Sequence, residues 1–276
     1  MIQFVAESGA PESFDDFLCD LLVANWMSPG GPWRLSTDLS LADLGTAEFF
    51  LNARLFLTAI VEENGTAATA TGNLNRAFVG RMFDRLEIPP ISRQSIRRCC
   101  KVRNEHDLRA LHSVRLVSEC ARLVARRKKR FHVTKAGHAL LPDDQAGALY
   151  HALFVAYFRR FDLSYFQLRD VPGIQTTVAT IFWRLDMMAR DWTPVRGLAP
   201  CILLPSVLNE MHEAMTSPHD SEEWMLASYL LDPLLDFGLI ETKKHDEWPG
   251  VTEKDAIRVT ALWKKFIRFT WNGDTP

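Results

Sequence analysis

The sequence predicts a mainly α fold built of tandem helical units with short β-hairpins. Three observations predict it. One local pattern recurs, in which a helix and a short β-like run lead to a threonine that opens the next helix. Its copies are Thr69-Ala70-Thr71-Gly72, Thr134-Lys135-Ala136-Gly137 and Thr260-Ala261-Leu262-Trp263. A threonine ending a strand can cap the following helix through its hydroxyl. Apolar residues fall at helical spacing over most of the chain, and the β-like runs are few and short. Two pairs of those runs flank polar tips, at Arg126–Arg130 and Lys243–Asp255. Helix, strand, tip, strand and cap in that order make a winged-helix-like unit, so the expectation is a tandem of such units.

The elements follow in chain order. Phe14, Phe17, Leu18, Leu21 and Leu22 place a helix between Ser13 and Met27, and Ser28-Pro29-Gly30-Gly31-Pro32 ends it. Residues 1–45 form this N-terminal helical segment. A first unit, 46–90, holds a helix from Thr46 to Glu63, with Gly65 where a left-handed residue ends helices. A β-like run at Thr66–Thr71 and a helix at Leu74–Leu86 complete it, and Pro89-Pro90 closes it. A second, basic unit, 91–145, holds a short helix at Ser92–Cys100 and an amphipathic helix from Asp107 to about Val124. On that helix Leu111, Val114, Val117, Ala121 and Val124 share one face, with Arg115, Glu119, Arg122 and Arg126 opposite. The run Arg126-Arg127-Lys128-Lys129-Arg130 reads as a hairpin tip and Phe131-His132-Val133 as the return strand.

Residues 146–205 read as an aromatic-rich helical connector. Its Tyr150–Phe166 stretch suits a core rather than a binding platform. A helix at Gly173–Ala189 and an irregular link at Pro194–Pro205 follow. A C-terminal unit, 206–276, has helices at Ser206–Met215 and Glu222–Phe237, the second interrupted near Pro233. A strand from Leu239, a polar wing at Lys243–Asp255, a return strand at Ile257–Val259 and a closing helix at Leu262–Phe269 complete it.

The chain has 276 residues, 47% hydrophobic and 24% charged, which is ordinary for a globular protein. No run of about 18 apolar residues is present, and the N-terminus lacks the basic and apolar regions of a secretory signal. Five scattered cysteines suit reduced thiols. The expected location is the cytoplasm, with no membrane partner. The net charge of −2 hides an island: Arg93 to Lys135 carries 14 Lys/Arg against three acids. Such an island faces a polyanion, or else neutralises acids elsewhere in the chain across an interface.

Three further segments carry a resemblance. "TATGNLNRAFV", "NEHDLRALHSVRLV" and "LLDFGLIE" resemble recurring blocks of the plasmid pRiA4b ORF-3-like family of bacterial mobile-element proteins, over about residues 46–270. The resemblance implies winged-helix proteins of plasmids and transposons, and it brings no catalytic residue. One departure is Arg122, at a helix-to-strand corner where that family carries glycine; it leaves the end of the second unit's long helix in doubt.

Catalytic and cofactor motifs are missing. No phosphate-cradling glycine loop, nucleophile elbow or H-E-x-x-H helix occurs. Cys99, Cys100, His106 and His112 match no common zinc spacing, and adjacent cysteines rarely chelate one tetrahedral ion. The adjacent acid pairs at 15–16, 62–63, 143–144 and 222–223 diverge on a helix and read as surface or cap residues. The expectation is a non-enzymatic protein without cofactor or metal. It binds nucleic acid or a nucleoprotein complex through a helix and a wing. The candidate contacts are Arg93, Arg97, Arg98, Lys101, Arg103, Arg115, Arg122, Arg126, Arg127, Lys128, Lys129 and Arg130. The alternative is an adaptor, or an antagonist of a host defence complex in the manner of an anti-CRISPR protein, acting by protein contacts. The acidic, tryptophan-rich C-terminal unit either packs its aromatics on the Tyr150–Phe166 segment or offers a protein interface, such as that of a homodimer.

Overall fold

The computed structural model describes residues 14–23, 26, 31–99 and 104–270. It is mainly helical, with three small antiparallel sheets. The chain begins with α1 (Phe14–Val23) and β1 (Trp33–Leu35), then α2 (Glu48–Glu62), β2 (Thr66–Ala67), α3 (Arg76–Arg85) and α4 (Pro90–Cys99). A 3₁₀ turn at Glu105–Asp107 leads into α5 (Arg109–Cys120). A hairpin of β3 (Val124–Arg127) and β4 (Arg130–Val133) runs into α6 (Lys135–Leu140). After α7 (Ala146–Val155), which continues as a π-helical turn to Arg160, come α8 (Pro172–Thr176), α9 (Val178–Met188) and β5 (Thr193–Pro194). Helices α10 (Ala199–Ile202), α11 (Pro205–Ala214) and α12 (Glu222–Leu226) follow; α12 continues through a π-helical turn into α13 (Asp232–Asp236). A second hairpin, β6 (Ile240–Lys243) and β7 (Ala256–Val259), leads to α14 (Ala261–Phe266) and β8 (Ile267–Phe269).

Sheet pairing redraws the expected boundaries. One sheet has the order β2-β4-β3, with Thr66 opposite Phe131 and Val124 opposite Val133. The division expected at residue 90 therefore falls inside one unit, because the strand of the first half completes the hairpin of the second. Another sheet has the order β5-β7-β6, with Thr193 opposite Ile257. The link expected at Pro194–Pro205 thus contributes an edge strand and α10. Helix, strand, helices and hairpin recur in the same order over 48–140 and 178–266, and both sheets place the last strand in the middle.

The caps explain much of this repetition. Thr134 Oγ1 accepts from Gly137 N and donates to Arg122 O; Thr260 Oγ1 accepts from Trp263 N and donates to Gly238 O. Each threonine thus ties a helix start to the corner before its hairpin, an N-cap worth about 1 kcal/mol. The first copy of the pattern behaves differently. Thr69–Gly72 closes a turn in which Thr69 accepts from Asn73 N, and Asn75 caps α3 by accepting from Phe78 N. A turn precedes that helix instead of a strand, so the hydroxyl at 69 is too early to cap it.

The core runs through α7, which is buried on nearly every side. Phe154 lies within 4.9 Å of Phe158 and Phe266, and Tyr150 lies 4.8 Å from Phe266 and donates to Phe237 O. Tyr150, Phe154, Tyr157, Phe158 and Phe161 are therefore core, while Phe166 packs at its edge and Tyr165 is 52% exposed. Of the C-terminal aromatics, Tyr229, Trp263 and Phe266 are buried in this same core, while Trp224 and Trp248 stay exposed. Trp271 lies outside the described residues. Pro233 interrupts the helix from α12 to α13 as expected: it supplies no N–H, and the π-helical turn at Ala227–Leu231 stands just before it.

Candidate nucleic-acid interface

The first hairpin is the most basic surface of the structure. Helix α5 ends at Cys120, and Arg122 turns the chain with a left-handed φ of 60°. This is the corner where the second hairpin has Gly238 at φ 69°. The β3–β4 loop has only two residues, Lys128 and Lys129, with φ of 48° and 60°. A two-residue hairpin whose loop residues both have positive φ matches the twist of its strands, and it is normally built from Asn and Gly. Each non-glycine residue in this region costs about 1–2 kcal/mol. Two lysines are thus held at the tip against their own conformational preference.

Arg122, Arg126, Arg127, Lys128, Lys129 and Arg130 are all exposed, and among the described residues none of them forms an ion pair. The Arg126 guanidinium lies over the bare face of Gly72, and Arg130 donates to Gly65 O at 2.6 Å. These contacts orient the side chains and leave their charge uncompensated. His132 and Lys135 line a hollow beside Arg127 and Arg130. Lys135 closes the basic island in the sequence, and only the fold brings it beside the hairpin cations.

Other expected contacts stand elsewhere. Arg98 is exposed on α4. Arg97 pairs with Asp84 at 3.7 Å and covers the Phe83 ring. Arg93 is half-buried, donating to the carbonyls of Phe83 and Leu86, so it closes the end of α3. Lys101 and Arg103 lie outside the described residues. The neutralisation alternative finds no support at the hairpin, because no acid of the described C-terminal half pairs with it.

Arg115 corrects the expectation most sharply. It is 6% exposed, and its Nε donates to Glu105 Oε1 at 2.7 Å while Nη1 donates to Glu119. His112 Nδ1 donates to the same Glu105 oxygen at 2.6 Å, and its Nε2 lies 3.2 Å from the Tyr165 hydroxyl. Leu74 N donates to the other Glu105 oxygen. Burial pushes the Glu105 carboxyl up, but the hydrogen bonds from His112 and Leu74 N–H and the charge of Arg115 outweigh it and hold the group below its usual range. Beyond Arg109, α5 has no exposed residue. Its expected polar face is filled by this network, which turns Arg115 to the inside of the fold. Arg122 and Arg126 are not on the helix at all, because it ends before them. The network was hard to foresee because Glu105 precedes the helix and reaches its partners only after the 3₁₀ turn. His112, one of the four residues considered for zinc, is committed to it.

A family model described as the Y4jL N-terminal domain matches residues 46–148. That stretch encloses the whole β2-β4-β3 sheet, and the expected boundary at 90 lies inside it. Nothing in this match links the chain to the plasmid pRiA4b ORF-3-like family. No curated protein and no solved structure matches the chain.

Proposed function

We propose that the segment 46–148 is a winged-helix-like unit that binds nucleic acid, or a nucleoprotein complex, through its wing, and that the protein acts by binding and not as an enzyme. One observation carries the reading: six exposed cations crowd a hairpin whose tip is held in a costly conformation, and none has an internal ion-pair partner among the described residues. Such a surface releases counterions when it meets phosphates. With α5 turned inward, base edges have no obvious reader, so affinity without strong sequence choice is expected. The second half, 178–266, repeats the element order and is proposed as a second winged-helix-like unit with an acidic wing that avoids phosphate.

The test is duplex DNA binding by fluorescence anisotropy over a salt series. The parent protein binds at low salt and weakens as salt rises. Lys128, Lys129 and Arg130 changed together to Ala flatten the log–log slope by about 0.9 for each phosphate no longer neutralised. No binding at low salt, or a slope unchanged in that variant, sinks the reading. Exposed Trp224 and Trp248 favour the second reading, an adaptor or antagonist acting by protein contacts. Retention of a partner from host lysate after nuclease treatment, together with no DNA binding, selects that reading.

A further inference from the structure

A second site, remote in character from the basic hairpin, lies where the second hairpin meets α2 and α5. It is a cleft of about 310 Å³, at the small end of ligand clefts, which run from about 300 to 1,000 Å³. Phe49 and Tyr157, packed at 5.4 Å, form part of its wall. Four carboxylates line it: Glu48 on α2, Glu87 in the link after α3, and Asp232 and Asp236 on α13. Asn52 exchanges two 2.7 Å hydrogen bonds with the Glu87 backbone, fixing that link beside the cleft. Asp232 accepts from Val251 N at 2.6 Å, which seats the tip of the second hairpin against α13.

Among the described residues none of these four acids has an ion pair. The one guanidinium in the cleft, Arg109, rests on the Phe166 ring at 5.0 Å and pairs with none of them. A second observation is independent of the acids. Tyr157 is 8% exposed and lines the cleft among Asp236, Asp232 and Arg109, yet its hydroxyl has no hydrogen-bond partner among the described residues. The ring is buried while the hydroxyl opens onto the cleft with no internal partner, so it is free to hydrogen-bond a group that enters there. At the rim stands Trp248, 63% exposed, an indole free to cover a cation.

We propose that this cleft binds an organic cation, an alkylammonium or guanidinium group, which the carboxylates pair with, the Tyr157 oxygen accepts from and Trp248 covers. Aromatic walls suit the carbon stem of such a group. No three acid, histidine or cysteine side chains among the described residues come together to hold a metal ion, so a bare divalent cation has no cage here. Protein packed around the Asp236 carboxyl, together with the charges of Asp232 and Glu48, raises it even though the residue still reaches solvent at the cleft, and burial also raises Asp232 and Glu48. Arg109, and for Asp232 also Lys244, opposes this only in part. Carboxyls raised in this way favour their protonated form in the empty cleft, and a cation that enters supplies the counterion that favours their charged form. The same chemistry comes from a free polyamine or from a Lys or Arg side chain of a protein partner. Binding at this cleft does not depend on nucleic-acid binding at the hairpin.

The experiment is titration calorimetry of the full chain with spermidine and, separately, with a short arginine-rich peptide. Saturable binding of either is expected, weakened about tenfold or more in Asp236→Asn, the loss of one charged hydrogen bond, and weakened also in Trp248→Ala. Spermidine alone binding identifies a free amine; the peptide alone identifies a basic protein segment. The variant with Lys128, Lys129 and Arg130 changed to Ala binds as the parent does. Binding of neither probe in the millimolar range overturns the proposal, as does unchanged affinity in both cleft variants.

Discussion

The two hairpins share one architecture and differ in how each is held. The β3–β4 hairpin turns in two residues, both lysines with positive φ, and its corner is Arg122 in the same region. The β6–β7 hairpin is entered through Gly238, where positive φ carries no side-chain penalty, and its long tip is gathered around a buried acid. Asp255 accepts from Lys244 Nζ at 2.8 Å, His245 N at 2.8 Å and Thr252 N at 2.9 Å. In the first hairpin, charge faces outward and conformation is strained. In the second, one buried acid organises the tip and the corner is relaxed. A segment under conformational cost with no internal ion pair to offset its charge is where an external partner is to be sought, and that measure supports the role proposed for the first hairpin.

The comparison breaks first at the buried acid behind each hairpin. Glu105→Gln should destabilise the protein by about 3 kcal/mol, because it leaves Arg115 buried with only Glu119; urea unfolding measures it. A destabilisation below half that figure would mean that the network is not what fixes α5. Asp255→Asn should cost about 2 kcal/mol through weakened hydrogen bonds to Lys244 and two backbone amides, read in the same way. The first hairpin should respond in the opposite sense. Lys128 and Lys129 replaced by Asn-Gly should raise stability by about 1–2 kcal/mol and lower DNA affinity together. Arg122→Gly should add about 1 kcal/mol or less, since relief of φ strain is partly offset by the entropy of glycine.

Acidity sharpens the contrast further. Burial raises both Glu105 and Asp255, yet His112 with Leu74 N–H, and Lys244 with His245 N–H, outweigh it, so both are depressed in the folded state. Their stabilising contribution is present above the unfolded carboxylate range, about 4, and is lost as pH falls through the lower folded values. Asp236 runs the other way. Raised above its usual range by the protein packed around it and by Asp232 and Glu48, though it reaches solvent, it favours the folded state at low pH, and its contribution declines as pH rises through its folded value. Chemical unfolding at several pH values should show the alkaline decline reduced in Asp236→Asn and the acid loss reduced in Glu105→Gln.

The helices and both hairpins were readable because their signals are local: apolar spacing, a threonine cap, a cluster of charges between two short β-like runs. The join between residues 66–67 and 130–131 was not, because strand pairing depends on residues far apart in sequence, and a two-residue strand has no alternation to read. The candidate site divided along the same line. Arg126 to Arg130 stand exposed as a run of five cations must, since solvent is the cheapest place for them. Arg115 looks identical to them on a helical projection. Only Glu105, ten positions earlier and carried by a turn of its own, draws it inside. Arg122 stands where glycine would be at ease, and its left-handed φ shows why that position matters.

β1 has a partner far along the chain. Trp33 pairs with Phe269 and Leu35 with Ile267, and these rungs form the whole of their sheet. On a ribosome, synthesis runs from the N-terminus and domains form as they emerge. The segment 46–148 can assemble its sheet before the later residues are made, whereas Trp33, stacked on Phe269 at 5.8 Å, must wait until that phenylalanine has been made. This small sheet therefore joins segments far apart in sequence, and it cannot close until both have been made.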